Sequence, residues 1–134
     1  MKMGKSAGNT ILISDTPEEI IKRLKSAVTD PQKVRRGDPG RPEVCLIFNY
    51  HKKFNAAEIP EIEKNCRSGA LGCSDCKLNV GKYIIKALEP IREKRSHYES
   101  HREEVKAILD DGETKARTIA NQTMSEVHEA MKLG

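Results

Sequence analysis

Apolar residues recur along this chain at intervals of three and four, punctuated by proline and glycine, and that spacing predicts helices. Asp15-Thr16-Pro17-Glu18-Glu19 reads as a helix start: a capping side chain, proline in the first turn, then acids against the positive end of the helix dipole. Ile20, Ile21, Leu24, Ala27 and Val28 follow at helical spacing, and Pro31 ends the run. A second helix is predicted from about Pro42 to Phe54, burying Val44, Ile47, Phe48 and His51, and a third from about Ala56 to Cys66. From about Asp75 a long helix carries Val80, Ile84, Ala87, Leu88 and Ile91 and reaches as far as Leu109, with a kink or split at Pro90. Asp110-Asp111-Gly112 is expected to break it. A last helix then buries Ala116, Ile119, Ala120, Met124, Val127 and Met131.

The remaining segments are connectors. Thr10 to Ser14 is β-prone, an edge strand or an extended link. Residues 30–42 hold three prolines, two glycines and four basic side chains and read as a structured loop; residues 67–76 form a shorter loop with glycine and cysteine. The fold class is therefore all-α, a bundle of about five helices behind an extended N-terminal segment. The domains are set at residues 1–15 for that segment and 16–134 for the bundle.

Composition narrows the class. The chain has 134 residues, a third of them charged and only 4% aromatic, so the core must come from aliphatic side chains. No apolar run approaches the roughly 20 residues needed to span a bilayer. No secretory leader is evident, which implies a cytoplasmic protein without a membrane partner. The net charge of +4 is unevenly spread: residues 1–53 carry eleven basic against six acidic side chains, whereas the rest is balanced. A polyanion would be met near the start of the chain. Arg35, Arg36, Arg41, Lys52 and Lys53 are the candidate contacts to nucleic acid. Tyr50, Phe48 and Asn49 lie within reach in sequence, but none is assigned a base contact. Lys82 and Lys86 read as helix surface.

Two motifs carry possible chemistry. Lys2-Met3-Gly4-Lys5-Ser6 sets two ammonium groups three residues apart in a glycine-containing segment, able to stabilise charge developing on a triphosphate. A Walker A loop would need an earlier glycine, and a plain basic terminus is the alternative. Cys45, Cys66, Cys73 and Cys76 form C-x20-C-x6-C-x2-C. Without a secretion signal these thiols read as metal ligands or buried free cysteines rather than disulfides. Zinc and an iron–sulfur cluster are both open, the unequal spacing suiting the cluster somewhat better. His51 is a fallback ligand, although a packed core histidine fits its helical position better. His97, Tyr98 and His101 cluster without a chelating pattern.

The segment KMGKSAGNTILISDTPEEIIKRLKSAVTDP resembles the stretch after the catalytic sheet in class I tryptophanyl-tRNA synthetases, where a KMSKS loop leads into a helix. VRRGDPGRPEVCLIFNYHKKF is similar to the entry of that family's helical anticodon-binding domain, and Leu88-Glu89-Pro90-Ile91-Arg92 to its L-x-P-I-R turn. By this resemblance Lys2, Lys5 and Ser6 face the ATP phosphates, Lys2 and Lys5 as catalytic cations, with Gly4 departing from the usual serine. Some members carry a 4Fe-4S cluster at nearly this cysteine spacing, which makes the cluster the preferred cofactor over zinc. The resemblance implies a C-terminal part of a tryptophan–tRNA ligase, whose full form uses ATP with magnesium, tryptophan and tRNA(Trp) as a homodimer. The chain alone lacks the family's Rossmann domain and is expected to be inactive, and a monomer or weak dimer. The rival readings are a stand-alone, metal-stapled helical RNA-binding module and a zinc scaffold without nucleic acid.

Overall fold

The computed structural model describes residues 10–132. It contains α1 (Pro17–Ser26), α2 (Leu46–Phe54), α3 (Ile59–Arg67), α4 (Cys73–Ser100) and α5 (Arg102–Met131). Single 3-10 turns at Pro42–Val44 and Ala56–Glu58 precede α2 and α3. There is no strand among the described residues. The chain divides into two compact units, Met1–Arg92 and Glu93–Gly134. The Lys2, Lys5 and Ser6 motif, and most of the segment assigned to residues 1–15, lie outside the described residues.

In the first unit, helix α1 begins where the sequence indicates. Thr16 caps it: the Glu19 amide donates to Thr16 Oγ1 at 3.3 Å, and the Thr16 amide donates to Glu19 Oε2 at 2.8 Å. Asp15 has a different task. Its buried carboxylate accepts from the Leu12 amide at 2.8 Å and pairs with Arg23 Nε at 2.8 Å. That bond folds residues 12–15 into a turn, so Thr10–Ser14 is a connector and not a strand. Ile20 and Leu24 point inward to meet Ile47, Phe48, Ile62, Val80 and Ile84, which together form the apolar core. Val28 and Val44, by contrast, are exposed, because α1 ends at Ser26 and an extended Cys45 separates the Pro42–Val44 turn from α2.

Helix α1 crosses α4 at Gly81. A Cβ there would lie 2.5 Å from Ile21 Cδ1 and 3.2 Å from Leu24 Cδ1. The missing side chain lets the two helices approach closely enough to share the core. Helix α4 starts at Cys73, two residues earlier than the sequence suggests, and continues through Pro90. Proline there leaves the Lys86 carbonyl without its helical donor. Lys86, Glu89 and Pro90 are all exposed, so water can serve that carbonyl, while Arg92 Nη2 donates to the neighbouring Ile85 carbonyl at 3.0 Å. The helix therefore survives its proline.

In the second unit, His101 (φ −120°, ψ 59°) separates the end of α4 from α5, and His97 Nε2 pairs with Glu104 Oε2 at 2.8 Å. The expected break at Asp110-Asp111-Gly112 does not occur. Lys106 holds Asp110 at 2.5 Å, Lys115 holds Asp111 at 2.7 Å, and Arg117 holds Glu113, each one helical turn apart. The expected burial fails as well: Ala116, Ile119, Ala120, Met124, Val127 and Met131 are all exposed, and no residue of α5 is buried. The stripe exists, since Val105, Ile108, Ile119, Val127 and Met131 share one face, but among the described residues of its own unit nothing buries it. No helix of the described residues is long and apolar enough to cross a membrane.

This distribution of the core is testable in the chain itself. Leu24→Ala should cost about 2–5 kcal/mol, whereas Ile119→Ala on the open stripe should stay within about 0.5 kcal/mol. Urea unfolding followed by helical circular dichroism measures both, and equal losses would contradict the placement of the core.

Candidate metal centre and nucleic-acid interface

Three separate elements deliver the four thiols. Cys45 sits at the N-terminal edge of α2, its amide donating to the Pro42 carbonyl at 3.1 Å. Cys66 lies in the last turn of α3, and Cys73 and Cys76 occupy the first turn of α4. The sequence reading put Cys45 within a helix and the Cys73–Cys76 pair on a loop; both are instead at helix starts. All four are free cysteines.

The loop of residues 30–42 closes over Cys66. The Cys66 carbonyl accepts from the Gly40 amide at 2.9 Å and from Lys33 Nζ at 3.4 Å. A Cβ on Gly40 would stand 2.6 Å from Cys66 Sγ, so glycine is what leaves room for the sulfur. Lys33 is only 8% exposed, an unusual position for an ammonium group. Burial pushes the Cys66 thiol up from its ordinary value, the Lys33 charge opposes that, and the Cys45 and Cys73 sulfurs add to it. The Cys76 thiol is pushed up to about 12, first by burial and then by the negative charge Cys45, Cys66 and Cys73 would carry. Among the described residues, no group of three or more His, Cys, Asp or Glu side chains is arranged to hold a metal ion.

His51 is fully buried beside Cys76. Its Nε2 is 3.2 Å from the Cys76 carbonyl and 3.4 Å from Cys76 Sγ, and its Nδ1 is 3.4 Å from Asn55 Nδ2. Desolvation lowers its proton affinity and favours the neutral ring. The core reading of this histidine is supported. Asn55 in turn donates to Glu58 Oε2 at 2.8 Å, where Asn79 also donates at 2.9 Å, while Tyr83 donates to Glu58 Oε1 at 2.6 Å. Sequence reasoning missed this network and Lys33. The Asn55/Glu58 and Asn79/Tyr83 spacings are visible as helical neighbours, but nothing in the sequence says that the two pairs meet.

The candidate cations differ in their availability. Arg41 is engaged: its Nη2 and Nε donate to the buried Asp30 carboxylate at 2.6 and 3.1 Å, and its own amide donates there at 2.9 Å. With those bonds and one from the Gln32 amide, Asp30 is held well below the usual carboxylate range. Arg36 is exposed and meets Asp75 at 3.5 Å. Together with Lys33, Arg35 and the start of α4 it lines a cleft of about 220 Å³. Lys52 lies 5.1 Å from the Phe48 ring centroid, and Lys53 is exposed. Tyr50 is half-buried, and Lys82 and Lys86 are exposed.

Residues 1–89 match the family described as tRNA synthetases class I (W and Y). The tryptophan–tRNA ligase of Aquifex aeolicus is 46% identical over 134 residues, covering 98% of this chain and 34% of that protein. That of Deinococcus radiodurans is 40% identical, covering 96% of the chain and 39% of that protein. The crystal structure of the Campylobacter jejuni tryptophanyl-tRNA synthetase with ADP and tryptophan superposes with a TM-score of 0.85 at 31% identity, over 97% of this chain and 40% of that one. The chain therefore spans about a third to two-fifths of the length of the relatives it matches.

The polar network carries a pH signature. Tyr83 foremost, then Asn55 and Asn79, hold the Glu58 carboxyl at about 2, below its ordinary 4.5. A depressed folded value stabilises the chain above pH 4.5, and that stabilisation is lost as pH falls from there toward 2. Glu58→Gln should be less stable than the parent at neutral pH, with the gap closing through this window. Denaturation midpoints across the acid range read it directly; a gap independent of pH would contradict the network.

Proposed function

The chain belongs to the class I tRNA synthetases of the tryptophan and tyrosine family, and from that premise we propose that it is the C-terminal, anticodon-binding part of a tryptophan–tRNA ligase. The observation that carries this reading is the agreement with tryptophan–tRNA ligases along nearly the whole chain. The full enzyme would activate tryptophan with ATP and magnesium and transfer it to tRNA(Trp) in the cytoplasm, as a homodimer. Within it Lys2, Lys5 and Ser6 would face the ATP phosphates, the two ammonium groups following charge onto the leaving pyrophosphate. By itself the chain would be inactive, and a monomer or weak dimer.

The tRNA surface in this reading is the loop of residues 30–42 with the end of α2. Arg35, Arg36, Lys52 and Lys53 are exposed and would meet phosphates, which position the RNA without reading it. Arg41 orders the loop through Asp30 and adds less charge to the surface. Anticodon bases would then be met as unstacked single strands.

Cys45, Cys66, Cys73 and Cys76 would hold a 4Fe-4S cluster. The donor chemistry fits: four free thiols on three adjoining elements, room for the Cys66 sulfur that glycine at position 40 leaves open, and a buried ammonium, Lys33, to offset negative charge. A single zinc ion at about 2.3 Å from each sulfur would draw the sulfurs to about 3.8 Å of one another, whereas a cubane spreads its thiolates over outer corners. When bound, such a cluster supplies a covalent tie and no electron to the charging reaction. Cysteines at the start of α2, the end of α3 and the start of α4 would then be fastened beneath the basic loop, holding its cations in place.

Anaerobic loading with iron and sulfide should turn the chain brown, and Cys66→Ala should abolish the colour. Loaded chain should bind tRNA(Trp), and stripping the iron should weaken that binding. Arg35→Ala with Arg36→Ala should flatten the dependence of log affinity on log salt by about 0.7–0.9 for each phosphate no longer neutralised. Failure to take up iron, or affinity unchanged by stripping and by the arginine substitutions, would refute the reading.

A further inference from the structure

The contacts of His51 permit only one arrangement of its ring protons. The Glu58 carboxylate can only accept, so the Asn55 atom 2.8 Å from it is the amide nitrogen, a donor. The same nitrogen stands 3.4 Å from His51 Nδ1, which must therefore be the bare, accepting nitrogen. The proton of the neutral ring then lies on Nε2. That nitrogen faces two acceptors on one residue, the Cys76 carbonyl at 3.2 Å and Cys76 Sγ at 3.4 Å. The other tautomer would set donor against donor at Asn55 and lone pair against lone pair at the carbonyl. An imidazolium would keep the first of those clashes.

We propose that His51 is a positioning residue for the thiol site: its Nε2–H, fixed by the Glu58–Asn55 relay, hydrogen-bonds the Cys76 sulfur, orients it as a ligand and raises the reduction potential of the cluster it holds. The inference rests on the reading of the four thiols as cluster ligands. Hydrogen bonds to ligand sulfur withdraw electron density from a cluster and shift its potential upward, and outer partners of ligands fix their geometry. The carbonyl contact anchors the ring whatever the sulfur binds. The sulfur takes a larger share of the proton once it is a thiolate, because the bond is then charge-assisted. The relay begins on Glu58, whose other donors, Asn79 and Tyr83, belong to the same helix as Cys76. Helix α4 thus supplies both the ligand and the groups that orient its partner.

The test uses the full chain labelled with nitrogen-15 in histidine, first without iron and then loaded anaerobically with ferrous iron and sulfide. Long-range proton–nitrogen spectra of the iron-free chain should show His51 protonated at Nε2, and Glu58→Gln should mix the two tautomers. In the loaded chain, His51→Leu should lower the reduction potential and shorten the lifetime of the colour in air several-fold. His51→Gln, which returns an amide N–H near the Nε2 position, should recover most of both. Should His51→Leu lose its helical circular dichroism, the half-buried Glu58→Gln substitution replaces it, with the potential expected to fall in the same direction. A proton found on Nδ1, or a loaded His51→Leu chain with unchanged potential and lifetime, overturns the role of His51 while leaving the cluster in place. A parent chain that takes up no iron overturns the cluster itself, and this proposal with it.

Discussion

One carboxylate organises the first unit beyond what its small apolar core can do. Glu58 stands on a single 3-10 turn between α2 and α3, yet it accepts three side-chain hydrogen bonds, one from Asn55 and two from α4. Apolar packing is non-directional: it brings α2, α3 and α4 together without fixing their registers. Directional polar contacts do fix register, since a slip leaves donors unpaired. Asn55 passes the constraint to His51, and His51 to the first turn of α4, where Cys73 and Cys76 stand. The geometry of the thiol site thus depends on a carboxylate that acts through two intermediaries.

The loop of residues 30–42 is ordered from the other side by a second carboxylate. Asp30, 5% exposed, draws in the Arg41 guanidinium and the amides of Gln32 and Arg41, and the closed loop then sets Gly40 and Lys33 against Cys66. Cations on this loop therefore fall into two kinds. Arg41 is tied to Asp30 and Lys33 is buried against the Cys66 carbonyl, so both hold the loop, while Arg35 and Arg36 remain outside. A charge count gives all four the same weight. Only their partners separate them.

The second unit obeys a different rule. Its long helix is held by ion pairs one turn apart along an exposed rod, and such pairs contribute only a few tenths of a kcal/mol each. The apolar stripe from Val105 to Met131 is nevertheless continuous.

Much of the architecture was legible without coordinates. The helical class, the capped start at Thr16, the inward positions Ile20, Leu24, Ile47, Phe48, Val80 and Ile84, and the buried His51 all follow from local periodicity and capping chemistry. Local signals also misled in identifiable ways. Thr10–Ser14 has strand propensity, but the Asp15 carboxylate turns it. Pro90 and Asp110-Asp111-Gly112 look like breaks, but solvent and ion pairs one turn away let the helices run on. Hydrophobic spacing in α5 marks a face and cannot say whether anything covers it. The sequence alone determined that the chain is helical, which faces are apolar and which thiols are available, because those properties arise from neighbours within a turn or two, whereas several helix ends did not follow from it. Tertiary structure alone decided that Glu58 meets Asn79 and Tyr83, that Lys33 and Gly40 close on Cys66, and that Arg41 is consumed by Asp30. Those contacts join residues 11 to 33 positions apart, and only the completed packing brings such partners within hydrogen-bond reach.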